Sequence, residues 1–232
     1  MITSAQNPKL RLIRRLLSSR RQREREGLFV CEGEDLLRAA QEAGIEPVEA
    51  LVAGDDVAPE LLAELSTLGH PPRVVSVFRR DDLPWGDREV VLALWRVADP
   101  GNVGTLVRAA DAFGGGVALS AGCADVTGPR ALRASAGAVF RVPVGRFDET
   151  SARRVALDAH GGRPLTDVDL TPPIVLVLGA EREGLPELEG AERATIPTPG
   201  PAESLNVAMA GAIALYELSR RRASHTESSP PA

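Results

Sequence analysis

The 232-residue chain is 44% hydrophobic and only 3% aromatic, with a net charge of −5. It is long enough for one large domain or two small ones around a core of Leu, Val, Ala and Ile. No apolar run approaches the ~18 residues that span a membrane, and the basic beginning lacks the apolar stretch of a leader, so a cytoplasmic protein is expected. Cys31 and Cys123 have no metal or redox spacing and fit a reduced compartment, and His70, His160 and His225 are scattered, so no metal site is expected.

Asn7-Pro8 offers a helix start, and Leu10, Ile13, Leu16 and Leu17 repeat at helical spacing. This predicts one amphipathic helix over about residues 8–25 with a cationic outer face. Lys9, Arg11, Arg14, Arg15, Arg20, Arg21, Arg23 and Arg25 stand there against Glu24 alone, a local charge of +7 on an otherwise acidic chain. Such segregation is an electrostatic footprint for nucleic-acid phosphate; a solvated Arg-rich helix face is the plain alternative. A short strand at Leu28–Cys31, a helix from Glu34 to Ala43, a strand at Val48–Val52, a helix from Pro59 to Leu68 and a strand at Val74–Val77 complete a small α/β domain over residues 1–80. Residues 81–88 are polar with turn formers and read as a linker.

A second α/β domain is expected over residues 89–222. Its predicted elements are a strand from Val90 to Leu94, a helix from Thr105 to Phe113 and strands at Val117–Leu119 and Ala138–Val144. The apolar run Ile174–Leu178, which lacks alternation, reads as a strand buried on both faces of a parallel sheet. A short strand at Ala194–Ile196 and a helix from Leu205 to Arg222 follow. Residues 223–232 are polar and Pro-tipped and read as a disordered tail. Trp95 and Arg96 are expected to cover the domain edge.

Three junctions carry candidate chemistry. Leu178-Gly179-Ala180-Glu181 is a strand running into a glycine turn with an acid, the place where parallel sheets bind ligands. Pro199-Gly200-Pro201 leads to Ser204, a candidate cap whose helix start can receive an anion or a carbonyl. Asn102 stands just before the Thr105 helix in the same way. Alone, these residues support a ligand site in an α/β domain. There is neither a G-x-G-x-x-G after a strand nor a P-loop, so a dinucleotide fold and triphosphate hydrolysis are not expected.

In order along the chain, Asp99-Pro100-Gly101-Asn102-Val103-Gly104 through Arg108, then Leu178-Gly179-Ala180-Glu181 through Gly184-Leu185, then Ile196-Pro197 with Ser204-Leu205-Asn206, resemble the three motifs of the SpoU/TrmH family of RNA 2′-O-ribose methyltransferases. The stretch Arg133–Phe140 resembles the segment between the family's first two motifs. Arg182 and Glu183 depart from it where relatives often carry a smaller residue. The resemblance implies S-adenosylmethionine as cofactor, a homodimer, and a parallel-sheet SPOUT domain whose chain is tied in a trefoil knot, which the usual no-knot rule would have excluded. It implies that residues 1–80 form a small RNA-binding domain resembling ribosomal-protein folds, with Lys9, Arg11, Arg14, Arg15, Arg21 and Arg23 as RNA contacts. It implies Leu178, Gly179, Ala180, Ile196, Ser204 and Leu205 as cofactor residues, and Arg108, Asn102, Glu181, Ser204 and Asn206 as the catalytic set. A guanidinium is a persistent cation, so Arg108 fits an anchor of phosphate and developing oxyanion better than a base.

The expected function is 2′-O-ribose methylation of structured RNA, with ribosomal RNA favoured because the N-terminal module resembles ribosomal RNA binders. A transfer RNA methyltransferase, a noncatalytic RNA-binding or ribosome-assembly factor and a small-molecule α/β enzyme are the alternatives.

Overall fold

The computed structural model describes residues 1–86, 88–180, 184–185, 187–201 and 203–227. Helix α1 (Pro8–Ser18) is capped by Asn7, whose side chain accepts from Lys9 N, and buries Leu10, Ile13, Leu16 and Leu17. The single helix expected over 8–25 is in fact two. Ser19 is extended (φ −137°, ψ 117°), ends α1, and caps α2 (Arg20–Glu26) by accepting from Gln22 N. A Ser prefers such a cap, where its hydroxyl satisfies an orphan helix donor, to a helix interior.

Strands β1 (Leu28–Glu32), β2 (Glu49–Val52) and β3 (Val74–Arg79) form an antiparallel sheet in the order β1-β3-β2, with α3 (Glu34–Glu42) and α4 (Pro59–Leu65) between them. The buried face of α1 packs with Val30, Leu51, Leu62, Val75 and Val77 into a small core.

The second sheet is parallel in every pairing among the described residues. It comprises β4 (Val90–Trp95), β5 (Gly116–Leu119), β6 (Val144–Arg146), β7 (Arg153–Leu157), β8 (Arg163–Pro164), β9 (Ile174–Gly179) and β10 (Glu192–Thr195), in the order β6-β5-β4-β9-β7-β10-β8. Helices α5 (Pro100–Ala112), α6 (Pro129–Ser135) and α7 (Val207–Glu227) complete it. Strands β4 and β9 are central neighbours, and their apolar runs are buried on both faces. This is why neither run alternates.

Three expectations need correction here. Residues 138–144 do not form one strand: Ala138–Phe140 is a 3-10 turn and only Val144–Arg146 pairs. Ala136 (φ 48°) and Gly137 (φ 84°) are both left-handed and turn the chain, and a Cβ on Gly137 would lie 2.3 Å from Ala39 Cβ. Packing against α3 therefore excludes a side chain there. Strand β7, whose Arg153 and Arg154 dilute its apolar signal, and helix α6 were not foreseen. Residues 223–227, expected in a disordered tail, continue α7; residues 228–232 lie outside the described residues.

The stretch expected as a linker is not a free tether. Residues Arg80–Asp82 form a 3-10 turn, Leu83 is buried, and Val144 N–H donates to Pro84 O at 3.1 Å; Asp87 lies outside the described residues. Phe29 and Phe78 stack at 5.7 Å, and Phe140 of the larger domain closes on Phe78 at 5.2 Å. Two polar junctions flank this aromatic cluster. On one side Arg23 Nε donates to Asp125 Oδ2 at 2.7 Å, Arg23 Nη1 to Leu16 O at 2.6 Å, and Arg80 reaches Asp125 and Thr127. On the other, the buried Glu32 accepts from Ser66 and Thr67 and forms an ion pair with Arg133 at 3.7 Å.

Arg23, expected to contact RNA, is thus corrected to a buried structural residue: it and Asp125 have side chains only 6% exposed. Its guanidinium is desolvated and already paired, so it is not on offer to phosphate. Burial pushes the Asp125 carboxyl up, but hydrogen bonds from Thr127 and Arg23 and the charges of Arg23 and Arg80 bring it below the ordinary carboxylate value.

Candidate cofactor cavity and active site

The carboxyl ends of β7, β9 and β10 and the segment entering α7 enclose a cavity of about 370 Å³. All six residues expected to hold cofactor, Leu178, Gly179, Ala180, Ile196, Ser204 and Leu205, line it. Three distant stretches of sequence therefore converge on one space, at the sheet end where parallel α/β folds bind ligands. The volume falls within the roughly 300–1,000 Å³ typical of small-molecule sites.

Gly179 is there for a steric reason: a Cβ on it would sit 2.3 Å from Gly184 O. The chain folds back tightly, with Gly184 N–H donating to Ala180 O at 2.9 Å. Glu181, assigned to the catalytic set, lies outside the described residues, as do Arg182 and Glu183.

Polar groups ring the cavity. Asp158, just past the end of β7, accepts from Arg193 Nη1 at 2.8 Å and from His160 N at 2.9 Å. Asp158, His160, Arg193, Thr198 and Glu203 all line the space, and none was singled out as a site residue from the sequence. A signal existed: Leu157-Asp158 followed by Gly161-Gly162 is another strand end running into glycines, but it was visible only once β7 was recognised. His160, read as scattered, in fact faces this cavity.

Asn102 and Asn206 meet directly. Asn206 Nδ2 donates to Asn102 Oδ1 at 3.1 Å, across 104 residues of chain. Asn206 also caps α7, its Oδ1 accepting from Ala208 N at 2.9 Å and Met209 N at 3.3 Å. The capping role expected of Ser204 thus belongs to Asn206, two residues on; Ser204 is exposed and faces the cavity. Likewise α5 begins at Pro100, capped by Asp99 through Asn102 N, so Asn102 sits inside the first helical turn rather than before a helix at Thr105. Proline suits that first position because its missing N–H would be unpaired anyway. Asn206 stands between Leu205 and Val207, both lining the cavity, so the asparagine pair marks its rim.

Arg108 lies elsewhere on α5. Six residues of helix separate it from Asn102, about 9 Å along the axis and about 120° around it. It is exposed, does not line the cavity, and has no hydrogen-bond or ion-pair partner among the described residues. The two acids that might have claimed it are engaged: Asp111 by Arg141 at 2.6 Å and Asp99 by Arg130 at 3.6 Å. Of the expected RNA contacts, Arg11, Arg14, Arg15 and Arg21 are exposed, and Lys9 is exposed but paired with Glu49 at 2.7 Å.

Trp95 does not cover an edge. Trp95 ends β4 in the middle of the sheet, paired in register with Gly179, and packs on Phe147 at 5.2 Å. Arg96 follows with φ 53°, a left-handed conformation that costs an L side chain about 1 kcal/mol and that glycine adopts freely.

A ligand cavity at the carboxyl end of a parallel sheet, with an asparagine pair at its rim, defines an α/β ligand-binding protein. The comparisons name its kind: residues 89–216 match the SpoU rRNA Methylase family model, and the chain belongs to that family. It is an RNA methyltransferase of that family, and SpoU methyltransferases use S-adenosylmethionine. It is 30% identical to the 23S rRNA (uridine(2479)-2′-O)-methyltransferase of Streptomyces viridochromogenes, over 98% of this chain and 95% of that one. It is 31% identical to an uncharacterised tRNA/rRNA methyltransferase of Synechocystis, over 95% and 94%. The structure is similar, at a TM-score of 0.83 and 30% identity, to an AdoMet-bound rRNA methyltransferase from Sinorhizobium meliloti, covering 95% of this chain and 97% of that one. The AdoMet complex of the SpoU methyltransferase AviRb from Streptomyces viridochromogenes also has a TM-score of 0.83, at 29% identity over 94% and 99%.

Proposed function

We propose that the chain transfers a methyl group from S-adenosylmethionine to the 2′-hydroxyl of a ribose in structured RNA, with ribosomal RNA as the substrate class. The single observation that carries this reading is the Asn206–Asn102 hydrogen bond at the rim of a cavity lined by all six expected cofactor residues.

The cavity suits the cofactor. Leu157, Leu178, Leu185, Ile196 and Leu205 offer apolar walls for an adenine, and the carboxylates of Asp158 and Glu203 suit a cationic ligand. When bound, S-adenosylmethionine supplies an electrophilic methyl on a sulfonium. The protein's own task is then alignment, because a positioned nucleophile reacts far faster than a free one. Asn102, Asn206 and Ser204 orient the ribose hydroxyl at the rim, and the family motif assigns Glu181 to the same catalytic set. Arg108 serves as the cationic anchor for phosphate and developing oxyanion charge.

Arg108 faces away from the cavity of its own chain, and this supports a homodimer. On α7, Met209, Ile213 and Tyr216 are exposed at helical spacing, and Tyr216 packs edge-on to Phe113 just past α5, at 6.4 Å. A second copy covering this stripe would bring a rim and an Arg108 together. The insertion of β9 between β4 and β7, with the tight return at Gly179–Gly184, supports the trefoil knot. The exposed arginines of α1 and α2 support residues 1–80 as a module that binds ribosomal RNA.

The test is methyl-labelled S-adenosylmethionine with separate unmodified ribosomal and transfer RNA pools, followed by mapping of any 2′-O-methyl nucleotide. Label at one position in ribosomal RNA is the expected result. Label confined to transfer RNA would move the substrate class, and no label with cofactor binding intact would refute the reading for free RNA. Arg108→Ala should lose about 10²–10³-fold in kcat while folding and cofactor binding stay unchanged.

A further inference from the structure

We propose that Asp158 and Arg193 together hold the α-amino-acid end of the cofactor, Asp158 accepting from its ammonium group and Arg193 donating to its carboxylate. The inference rests on the reading of the cavity as the S-adenosylmethionine site.

The pair is built into the cavity wall by two neighbouring strands. Arg193 lies on β10 and is in register with Ala156 of β7. Asp158 N–H donates to Ala194 O at 2.8 Å, which carries the pairing of β7 and β10 one residue past the end of β7. The carboxylate is fixed as firmly as the backbone. It accepts from His160 N at 2.9 Å and from Arg193 Nη1 at 2.8 Å. The loop then folds back onto β10. A Cβ on Gly162 (φ 108°) would lie 2.6 Å from Arg193 C and O, so the turn after Asp158 rests directly on the backbone that carries Arg193. Both charges are therefore in place before a ligand arrives, which spares binding the cost of ordering them.

The chemistry of the lining divides in the same way as the chemistry of the ligand. S-adenosylmethionine has an adenosine, a methyl on a sulfonium, and an amino-acid end with one ammonium and one carboxylate. The apolar walls suit the adenine, and the methyl must face the Asn102–Asn206 rim. The amino-acid end then needs two opposite charges side by side. Arg193 is the one Arg or Lys among the described lining residues, and it pairs with Asp158. Glu203 is the second acid, on the exposed segment entering α7. A carboxylate has acceptor sites beyond the two occupied here, and a guanidinium has donors beyond the one that reaches Asp158. Both can bind a ligand without giving up each other. The Arg193 side chain is 59% exposed and that of Asp158 20%, so the pair stands where the cavity meets solvent, the place for the most hydrated part of the ligand. So exposed a pair adds little to folding stability, and its removal should be read in binding.

The test uses calorimetry with two probes that differ only at the amino-acid end, S-adenosylhomocysteine and 5′-methylthioadenosine. Wild type should bind the first at least tenfold more tightly. Arg193→Met and Asp158→Asn should each weaken S-adenosylhomocysteine and S-adenosylmethionine about tenfold, the loss of one charge-assisted hydrogen bond, and change 5′-methylthioadenosine less than about twofold. Arg193→Lys should recover part of the affinity, and Glu203→Gln should lose less than Asp158→Asn. Melting temperatures without ligand should stay within about 3 °C of wild type. Equal losses for both probes would place the nucleoside at this wall and overturn the inference. So would wild-type affinities in Arg193→Met and Asp158→Asn, or a larger loss in Glu203→Gln. Wild-type protein that binds neither S-adenosylmethionine nor S-adenosylhomocysteine would instead overturn the reading of the cavity as the cofactor site, and this inference with it.

Discussion

Replacing Asp125 by Ala tests whether the N-terminal module is locked onto the catalytic domain by a buried ionic junction. Asp125 accepts from Arg23 at 2.7 Å, from Arg80 at 3.3 Å, and from Thr127 N at 3.0 Å and Oγ1 at 2.7 Å. Removing it strands the Arg23 guanidinium, whose side chain is only 6% exposed. Breaking one side of a buried pair costs about 3–5 kcal/mol, because the remaining charge stays desolvated. For a chain of this size that corresponds to a fall in Tm of about 10 °C, measurable by calorimetry. Adding Arg23→Met in the Asp125→Ala background should recover part of the loss, because the uncompensated charge is gone. The pH dependence has a definite sign. Asp125 is held below the ordinary carboxylate value, so its contribution is present above about pH 4 and is lost as pH falls through its folded value. Wild type should therefore lose Tm more steeply than Asp125→Ala below about pH 4. A fall of less than 2 °C for Asp125→Ala, or strictly additive losses for the pair, would refute the argument that these residues act as a unit.

Two further outcomes follow from the site. Asn206→Ala removes the α7 cap and the Asn102 contact together, so Tm should fall by about 2–4 °C for a cap worth about 1 kcal/mol, and methyl transfer should fall far more than that loss explains. Activity close to wild type in this variant would remove Asn206 from the reaction centre. Gly179→Ala sets a Cβ 2.3 Å from the Gly184 carbonyl, a backbone atom that cannot step aside cheaply. Calorimetry should show cofactor affinity at least tenfold weaker; an unchanged Kd would mean that the tight return at Gly179 does not shape the cavity.

The sequence by itself determined which apolar runs form the core and which strand ends and helix starts carry the polar loop residues. The unbroken apolar run Ile174–Leu178 could only be a strand covered on both faces, and Leu10, Ile13, Leu16 and Leu17 could only be the buried stripe of a helix. The six residues that the family resemblance singled out line one cavity, and the strand ends, glycines and helix starts around them are local features written in adjacent residues. Properties carried by long-range partners were not legible. Ser19 broke a helix that periodicity alone continued, and α5 began earlier than its apolar pattern suggested because Asp99 and Pro100 cap it. Arg23 has the same chemistry as Arg21, yet one is buried on Asp125, a hundred residues away, and the other faces solvent. Asp158 and His160 joined the cavity only because β7 packs between β9 and β10. Local backbone preference acts over a few residues and can be read there; desolvation, ion pairing and the meeting of Asn102 with Asn206 depend on which distant segments the folded chain brings into contact.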